Sequence, residues 1–354
     1  MKHRVNVGSF LRTVFKASNT SSLPNRTVKG FTLIELLVVV IISGGIISGL
    51  LYLVVELLTA DQNEASRTQT QQEMQLALDY ISAELREAVY VYDQECMSAT
   101  ANGVATDANF CPGLYNHIPA SITPTNDNYP IIAFWKQQLL PDNVRQACDA
   151  GTAIATTPCI AGHSYSLVVY TLDTDDNDAT WDGLARIRRY ALTQFGTNPA
   201  VENTGYVDPG AFQQQFRSWP FFRDDTNATP VNQQAALPTG NGDVLVDFVD
   251  DRVRDGATSA VCPGDPDNNV ATVTDTQPYY LTSDPGIVTG TANSFYACVG
   301  NRGQIGENRD VLLFLRGNAH GRPAIRQTAN ADAFLPTLET QVLSRPVLQK
   351  LPGS

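Results

Sequence analysis

Acidic residues are missing from positions 1–30, and charge of either sign is missing from positions 36–55, in a chain of 354 residues with 36 Asp and Glu. Basic residues are scarce after the start. Without the six in the first thirty positions, 18 Lys and Arg face 36 acidic side chains, a formal net charge of −18. A surface of that sign repels nucleic-acid phosphates and anionic headgroups, so a nucleic-acid partner held by a basic patch is not expected. Histidine is equally thin: His117, His163 and His320 lie beyond residue 30, with no His-Glu-x-x-His spacing among them. Gly162-His163-Ser164-Tyr165-Ser166 lacks the second glycine of a nucleophile elbow, and no phosphate-cradling glycine loop occurs, so the chain is not read as an enzyme. There is no Cys-x-x-Cys pair, which removes the usual zinc frameworks. No internal repeat, heptad array or low-complexity tract organises the sequence.

What the chain does have is the apolar run 36–55, closed by Glu56. As a helix rising about 1.5 Å per residue, such a run covers the roughly 30 Å hydrocarbon core of a bilayer. An ordinary secretory signal has an apolar core of about 7 to 15 residues without an acid, then a small-residue cleavage site. This run is longer and opens on Glu35. A plain single-pass anchor has no use for that carboxylate, which is costly at the mouth of a span and is a functional residue by default. Lys2, Arg4, Arg12, Lys16, Arg26 and Lys29 precede the run, whereas Asp61 and Glu64 follow it. The positive-inside rule therefore keeps the first thirty residues in the cytoplasm and sends the bulk of the chain across the membrane. The Ser, Thr and Asn content of 18–27, with Pro24 inside it, predicts an unstructured leader.

The junction Lys29-Gly30-Phe31-Thr32-Leu33-Ile34-Glu35 resembles the cleavage and methylation site of the type IV prepilin and pseudopilin family. The resemblance implies that a prepilin peptidase cuts between Gly30 and Phe31 and that the new terminal Phe31 is N-methylated. It implies also that Glu35 guides the subunit into a filament. A carboxylate buried among apolar helices would be matched by the positive amino group of a neighbour's Phe31, which offsets its desolvation and fixes axial register. The partners implied are the prepilin peptidase, other pilins or pseudopilins met through the N-terminal helix, and an inner-membrane assembly platform. The subunit would be single-pass in the inner membrane with a periplasmic head, then part of an extracytoplasmic filament. Where many relatives carry a proline partway through the membrane half, Tyr52 stands here, and Gly44, Gly45 and Gly49 are the weak points of the helix.

Past the span, 61–73 holds no helix breaker, and Met74, Ala77, Leu78, Ile81, Leu85, Ala88 and Val89 recur at steps of three and four. That spacing predicts one helix over 31–90, roughly 90 Å long, with an apolar stripe on its second half. After Cys96 the composition turns to Gly, Pro, Asn, Asp and Thr, with β-rich runs at 131–135, 165–172, 185–192, 244–249, 295–299 and 311–316. The fold class expected is α+β and pilin-like: one long N-terminal helix carrying an antiparallel β-sheet head with long, disulfide-stapled loops. The expected divisions are a leader at 1–30, a membrane and filament-core helix at 31–60, a helix packed under the head at 61–92, and the β-rich head at 93–354. Some 260 residues after the helix suffice for a real core. Loops 198–239 and 252–293 exceed ordinary connections and are where partner-specific function is expected.

All six cysteines follow the span, and an even number in an oxidising compartment reads as disulfides. Pairing of sequence neighbours closes each loop within one irregular segment: Cys96 with Cys111, Cys148 with Cys159, Cys262 with Cys298. Free buried thiols are the alternative. The run after residue 172 is Asp173-Thr174-Asp175-Asp176-Asn177-Asp178, followed by Trp181-Asp182-Gly183. Asp173, Asp175, Asn177, Asp178 and Asp182 are candidate calcium ligands, since alternate oxygens let a tight loop gather around the ion at about 2.4 Å. Asp178 where the helix-loop-helix motif wants glycine, and Leu184 where it wants glutamate, exclude that particular motif. A solvated acidic hairpin tip explains the same residues.

Large β-rich heads on a single helix resemble the minor pilins and minor pseudopilins of the PilW and GspJ type. Leu184-Ala185-Arg186-Ile187-Arg188-Arg189-Tyr190, 244–250 and 310–318 look like that branch. The stretches 74–81 and 85–93 further resemble cyanobacterial pseudopilins linked to hormogonium polysaccharide secretion, of the HpsC kind. The function implied is a minor subunit that helps initiate or cap a filament for motility or polysaccharide secretion. A tip adhesin and a membrane-anchored extracytoplasmic enzyme are the alternatives.

Overall fold

The computed structural model describes residues 30–106, 110–125, 127–175, 180–196, 198–210, 216–224, 227–251, 262–263, 279–283, 293–300, 310–322, 325 and 335–344. The chain divides into two compact units, Met1–Leu58 and Thr59–Ser354. Helix α1 is continuous over Leu33–Arg86, passing Gly44, Gly45 and Gly49 without a break. Its first unit is rich in Val and Ile, which are mediocre helix formers in water, but an apolar solvent forces every backbone group to bond within the segment. The hydroxyls there follow the same rule: Ser43 Oγ donates to Val40 O (3.1 Å) and Ser48 Oγ to Gly44 O (2.7 Å).

In the second unit, α1 buries Ser66, Thr70, Met74, Ala77, Leu78, Ile81, Ser82, Glu84 and Leu85, the stripe its spacing predicts. Two antiparallel sheets cover that stripe. The first has the order β1-β2-β3-β4-β7, formed by Ala88–Val91, Asn128–Leu139, His163–Asp173, Ala185–Leu192 and Asp243–Val249. The second has the order β11-β10-β9-β8, formed by Thr337–Leu343, Asp310–Arg316, Phe295–Gly300 and Tyr279–Leu281. β5 (Phe221–Asp224) and β6 (Asn227–Asn232) form a separate hairpin, and α2 (Asp142–Asp149) lies between β2 and β3. The sheets meet where Val249 bridges to Gly317. There Arg316 Nε and Asn318 Nδ2 each donate to the buried Asp250 carboxylate at 2.8 Å. Gly317 is required at this point: a Cβ would come within 2.9 Å of Met74 Cγ and 3.0 Å of Thr70 Cγ2 on α1.

The first sheet is buried on both faces, and the period of two along each strand sorts its side chains. Phe134, Val168, Tyr170, Leu172, Ala185 and Ile187 join Leu78, Ile81 and Leu85 of α1, together with Phe295, Val311, Leu313 and Leu315 of the second sheet, in the main core. Ala133, Trp135, Leu167, Val169 and Leu192 face the other way, into a second core with Tyr92, Leu114, Phe216, Trp219 and Phe222. Each fully buried Leu, Ile, Val or Phe contributes about 1.5–3 kcal/mol, so these two clusters dominate the stability of the head.

All six predicted runs are strands, each within four residues of its predicted limits. The helix is shorter than 31–90: it stops at Arg86, and Ala88 and Val89 belong to β1, whose residues pair with Lys136, Trp135 and Phe134 of β2. Val89-Tyr90-Val91-Tyr92 is β-branched and aromatic, and its preference for a pleated surface wins once a strand edge is available. Among the described residues, the single sheet expected is two sheets and a hairpin. Region 198–239 is not a structureless loop, since it contains β5 and β6, and region 252–293 contributes β8. The rest of 252–293 lies largely outside the described residues.

Candidate functional site

Gly30 and Phe31 precede the first helical residue, and Phe31 is 78 % exposed. The helix then starts on Thr32-Leu33-Ile34-Glu35, and the structure builds a reciprocal cap from it. Glu35 N donates to Thr32 Oγ1 (3.3 Å) and Leu36 N to Thr32 O (3.2 Å). In return Thr32 N and Thr32 Oγ1 donate to Glu35 Oε2 at 3.5 and 3.4 Å. This is a capping box, in which two otherwise unmet helix-start donors are satisfied and a carboxylate sits at the positive end of the helix dipole. Gly30 and Phe31 are thus exposed, non-helical residues directly before a capped helix start. Among the described residues, one helix is long and apolar enough to cross a membrane, and none of its apolar window is buried. The sequence reading named Gly30, Phe31 and Glu35 but missed the cap, which Thr-x-x-Glu before an apolar run signals directly.

At the other end of α1 the structure assembles a buried ion cluster that the sequence reading missed. Glu84 accepts from Arg189 Nε (2.8 Å) and Nη2 (2.7 Å), from Lys136 Nζ (2.7 Å), and through a short hydrogen bond from Tyr170 Oη. Burial alone raises the Glu84 carboxyl, but the bonds from Arg189, Lys136 and Tyr170 outweigh it and bring it from an ordinary 4.5 down to about 2. The bond to Glu84 pushes the Arg189 guanidinium above its usual range, and burial, together with the Glu84 charge, does the same to the Tyr170 hydroxyl.

Cys96–Cys111, Cys148–Cys159 and Cys262–Cys298 are closed as disulfides, with Cα separations of 5.3, 5.5 and 5.8 Å. The candidate calcium residues are engaged differently. Asp173 is buried at the end of β3, where its Oδ2 accepts from Arg188 Nε (2.5 Å) and lies 3.9 Å from Arg186 Nη1. Its Oδ1 accepts from Asp175 N (2.9 Å). Arg186, with no exposed surface, also donates through Nη2 to Asp175 O (2.7 Å) and lies 3.9 Å from Asp247 Oδ1. Asp182 lies beside Gly183, while Asn177 and Asp178 fall outside the described residues. Among the described residues no three His, Cys, Asp or Glu side chains gather as a metal site.

His117 Nδ1 pairs with Gln234 Oε1 (3.1 Å) between the rings of Trp219 and Phe221, and burial lowers its pKa. His163 Nδ1 meets Ala161 O (2.8 Å), and His320 N donates to Asn318 Oδ1 (2.9 Å).

Residues 25–51 match the family model described as the prokaryotic N-terminal methylation motif. That match spans the exposed junction, the capping box and the first turns of the apolar helix, and it supports a type IV prepilin-like or pseudopilin character. It implies processing by a prepilin peptidase and assembly with other pilins. No curated protein and no solved structure matches the chain.

Proposed function

We propose that this chain is a minor pilin or pseudopilin subunit that helps initiate or cap a type IV pilus-like or type II secretion-like filament, serving motility or polysaccharide secretion. The observation that carries the reading is the methylation-motif match over 25–51, coinciding with an exposed Gly30–Phe31 peptide and a helix that begins at Leu33. In this reading the peptidase cuts between Gly30 and Phe31, Phe31 is methylated, and Glu35 meets the terminal amine of a neighbouring subunit. The helix beyond it lies in the inner membrane and then in the filament core, with the head in the periplasm. A head of roughly 260 residues, 93–354, is hard to repeat along a tightly packed shaft, which favours a tip position or low abundance. The assembly platform and sister pilins are the partners, and the acidic head does not engage nucleic acid. Mass spectrometry of the mature amino terminus tests the reading: it begins at methylated Phe31. An uncut terminus, or one near Asp61, refutes it.

A further inference from the structure

Each of the two large sheets ends on two edge strands, and an unpaired edge is a template for another strand unless something blunts it. Three of these four edges are blunted. β1 has four residues and a register shift against β2, and β8 has three residues. β7 shifts register twice against β4, and Asn318 N donates to Phe248 O (2.7 Å) beside the bridge from Val249 to Gly317. β11 has none of these devices. Its seven residues, Thr337–Leu343, pair with β10 without a shift and include no Pro, Lys or Arg. Among the described residues no strand and no backbone bond reaches its far side. Glu339 is its one charge, and Leu343 is 65 % exposed.

The strand complements itself about Thr340. Laid antiparallel across a two-fold axis at that residue, Thr340 faces Thr340 of a second copy, Leu338 faces Val342, Glu339 faces Gln341, and Thr337 faces Leu343. Residues opposite one another project to the same face, so Leu338 and Val342 stay on the side of the main core, where both already pack. Glu339 avoids its own copy. Gln341 spends one N–H on Asp310 Oδ2 (2.7 Å) and keeps a second for the carboxylate that would face it. Thr–Thr and apolar pairs stabilise a ladder, whereas like charges directly opposite weaken it.

We propose that β11 is an interface between two copies of this chain, which join edge to edge about a two-fold axis, each contributing its four-stranded sheet. The pairing closes the open edge in both copies at once. It goes beyond the filament reading and stands independently of where the chain is cut.

Cysteine substitutions read the register. Opposite residues in an antiparallel pair have Cα atoms about 4.5–5.5 Å apart, within disulfide range. The full chain is expressed in its own cells, and isolated membranes are oxidised with copper phenanthroline. Thr340→Cys is expected to give a covalent dimer by itself. Thr337→Cys and Leu343→Cys, both at exposed positions, are expected to give one only when co-expressed, since each stands about 20 Å along the strand from its own counterpart. Thr340→Lys, added to both chains, sets two ammonium groups face to face and should abolish that cross-link. Peptide mapping of the three native disulfides in the same samples reports that each variant is folded. Native disulfides intact with no covalent dimer overturn the proposal. Self-linking of Thr337→Cys overturns the antiparallel two-fold, and a Thr340→Cys link to a different protein overturns the second copy as the occupant.

Discussion

Arg189 grips both oxygens of Glu84, Nε at 2.8 Å from Oε2 and Nη2 at 2.7 Å from Oε1, and so ties the last turn of α1 to the fourth strand of the first sheet. Lys136 of β2 and Tyr170 of β3 reach the same carboxylate, and Tyr170 stands directly opposite Arg189 in the β3–β4 register. One side chain of the helix thus holds three adjacent strands. Glu84→Ala would leave the largely buried Arg189 guanidinium without its carboxylate, while Lys136 keeps Glu87 at 3.4 Å; stranding a buried charge in this way costs about 3–5 kcal/mol. Chemical denaturation of the chain in detergent is expected to show a loss of that size. Arg189→Lys, which cannot bridge both oxygens, should also be destabilising.

The cluster also sets an acid limit. Glu84 is lowered from 4.5 to about 2, so its contribution is fully present above pH 4.5 and is lost as pH falls through 2. Unfolding free energy should decline across that window. In Glu84→Gln, which has no proton to gain, the part of the decline due to this site should be absent. An unchanged slope between pH 4.5 and 2 in that variant would remove Glu84 as its source.

Glu35 has two separable jobs, and Gln tells them apart. A capping box accepts Glu or Gln at the third helical position, so Glu35→Gln keeps the bonds to Thr32, whereas Glu35→Ala loses them at a cost of about 1 kcal/mol. Pairing with a neighbour's amine needs the charge. Both variants should insert in the membrane, and both should be missing from sheared filaments. Wild-type recovery of Glu35→Gln would mean that the residue acts as a cap alone.

The junction and the apolar stripe were legible because one is a short motif and the other a strict period of three and four residues. β2, β3, β4, β7, β9 and β10 were legible because their apolar runs are bounded by turn residues. β1 was not, since Ala88 continues the helical spacing from Leu85 and its strand identity comes from pairing with β2. β11 alternates Leu338 and Val342 with polar residues, too weak a pattern to stand out. The Glu84 cluster left traces: an acid inside the buried stripe between Ile81 and Leu85, and Lys136, Tyr170 and Arg189 each two positions from core residues on the helix-facing side of their strands. Only the register says that the three meet, and register is a long-range property.

The three disulfides differ in access. Cys96, Cys111, Cys262 and Cys298 are at most 1 % exposed, whereas Cys159 is exposed and Cys148 half-buried beside a small core of Leu140, Val144 and Phe195. Under native conditions a mild reductant followed by alkylation should label Cys148 and Cys159 first. In the chain-entropy model, loops of 11 and 36 residues correspond to about 3 and about 4 kcal/mol. Loss of Cys148–Cys159 should therefore destabilise the chain least, as peptide mapping and melting together would show.

The acidic loop after β3 has its countercharge inside the protein. Asp173 is held by Arg188 and lies 3.9 Å from Arg186, and Asp247 lies 3.9 Å from Arg186 on the other side while its Oδ2 accepts from Gly183 N (2.9 Å). Gly183 has no room for a side chain, since a Cβ would sit 2.3 Å from Asp247 Oδ1 and 2.5 Å from Phe248 N. A calcium ion at Asp173 would have to compete with these arginines for oxygens already in use, and like-charge repulsion with Arg186 would oppose it. Calcium and magnesium at matched ionic strength are therefore expected to shift the melting temperature of the intact chain alike, with chelator without effect. Arg188→Gln removes the closest countercharge from Asp173, so this variant should melt lower and should regain more stability from calcium than from magnesium. A calcium-specific rise in the unaltered chain, abolished by Asp175→Ala, would instead establish the loop as a calcium site, with the arginines serving the fold beneath it.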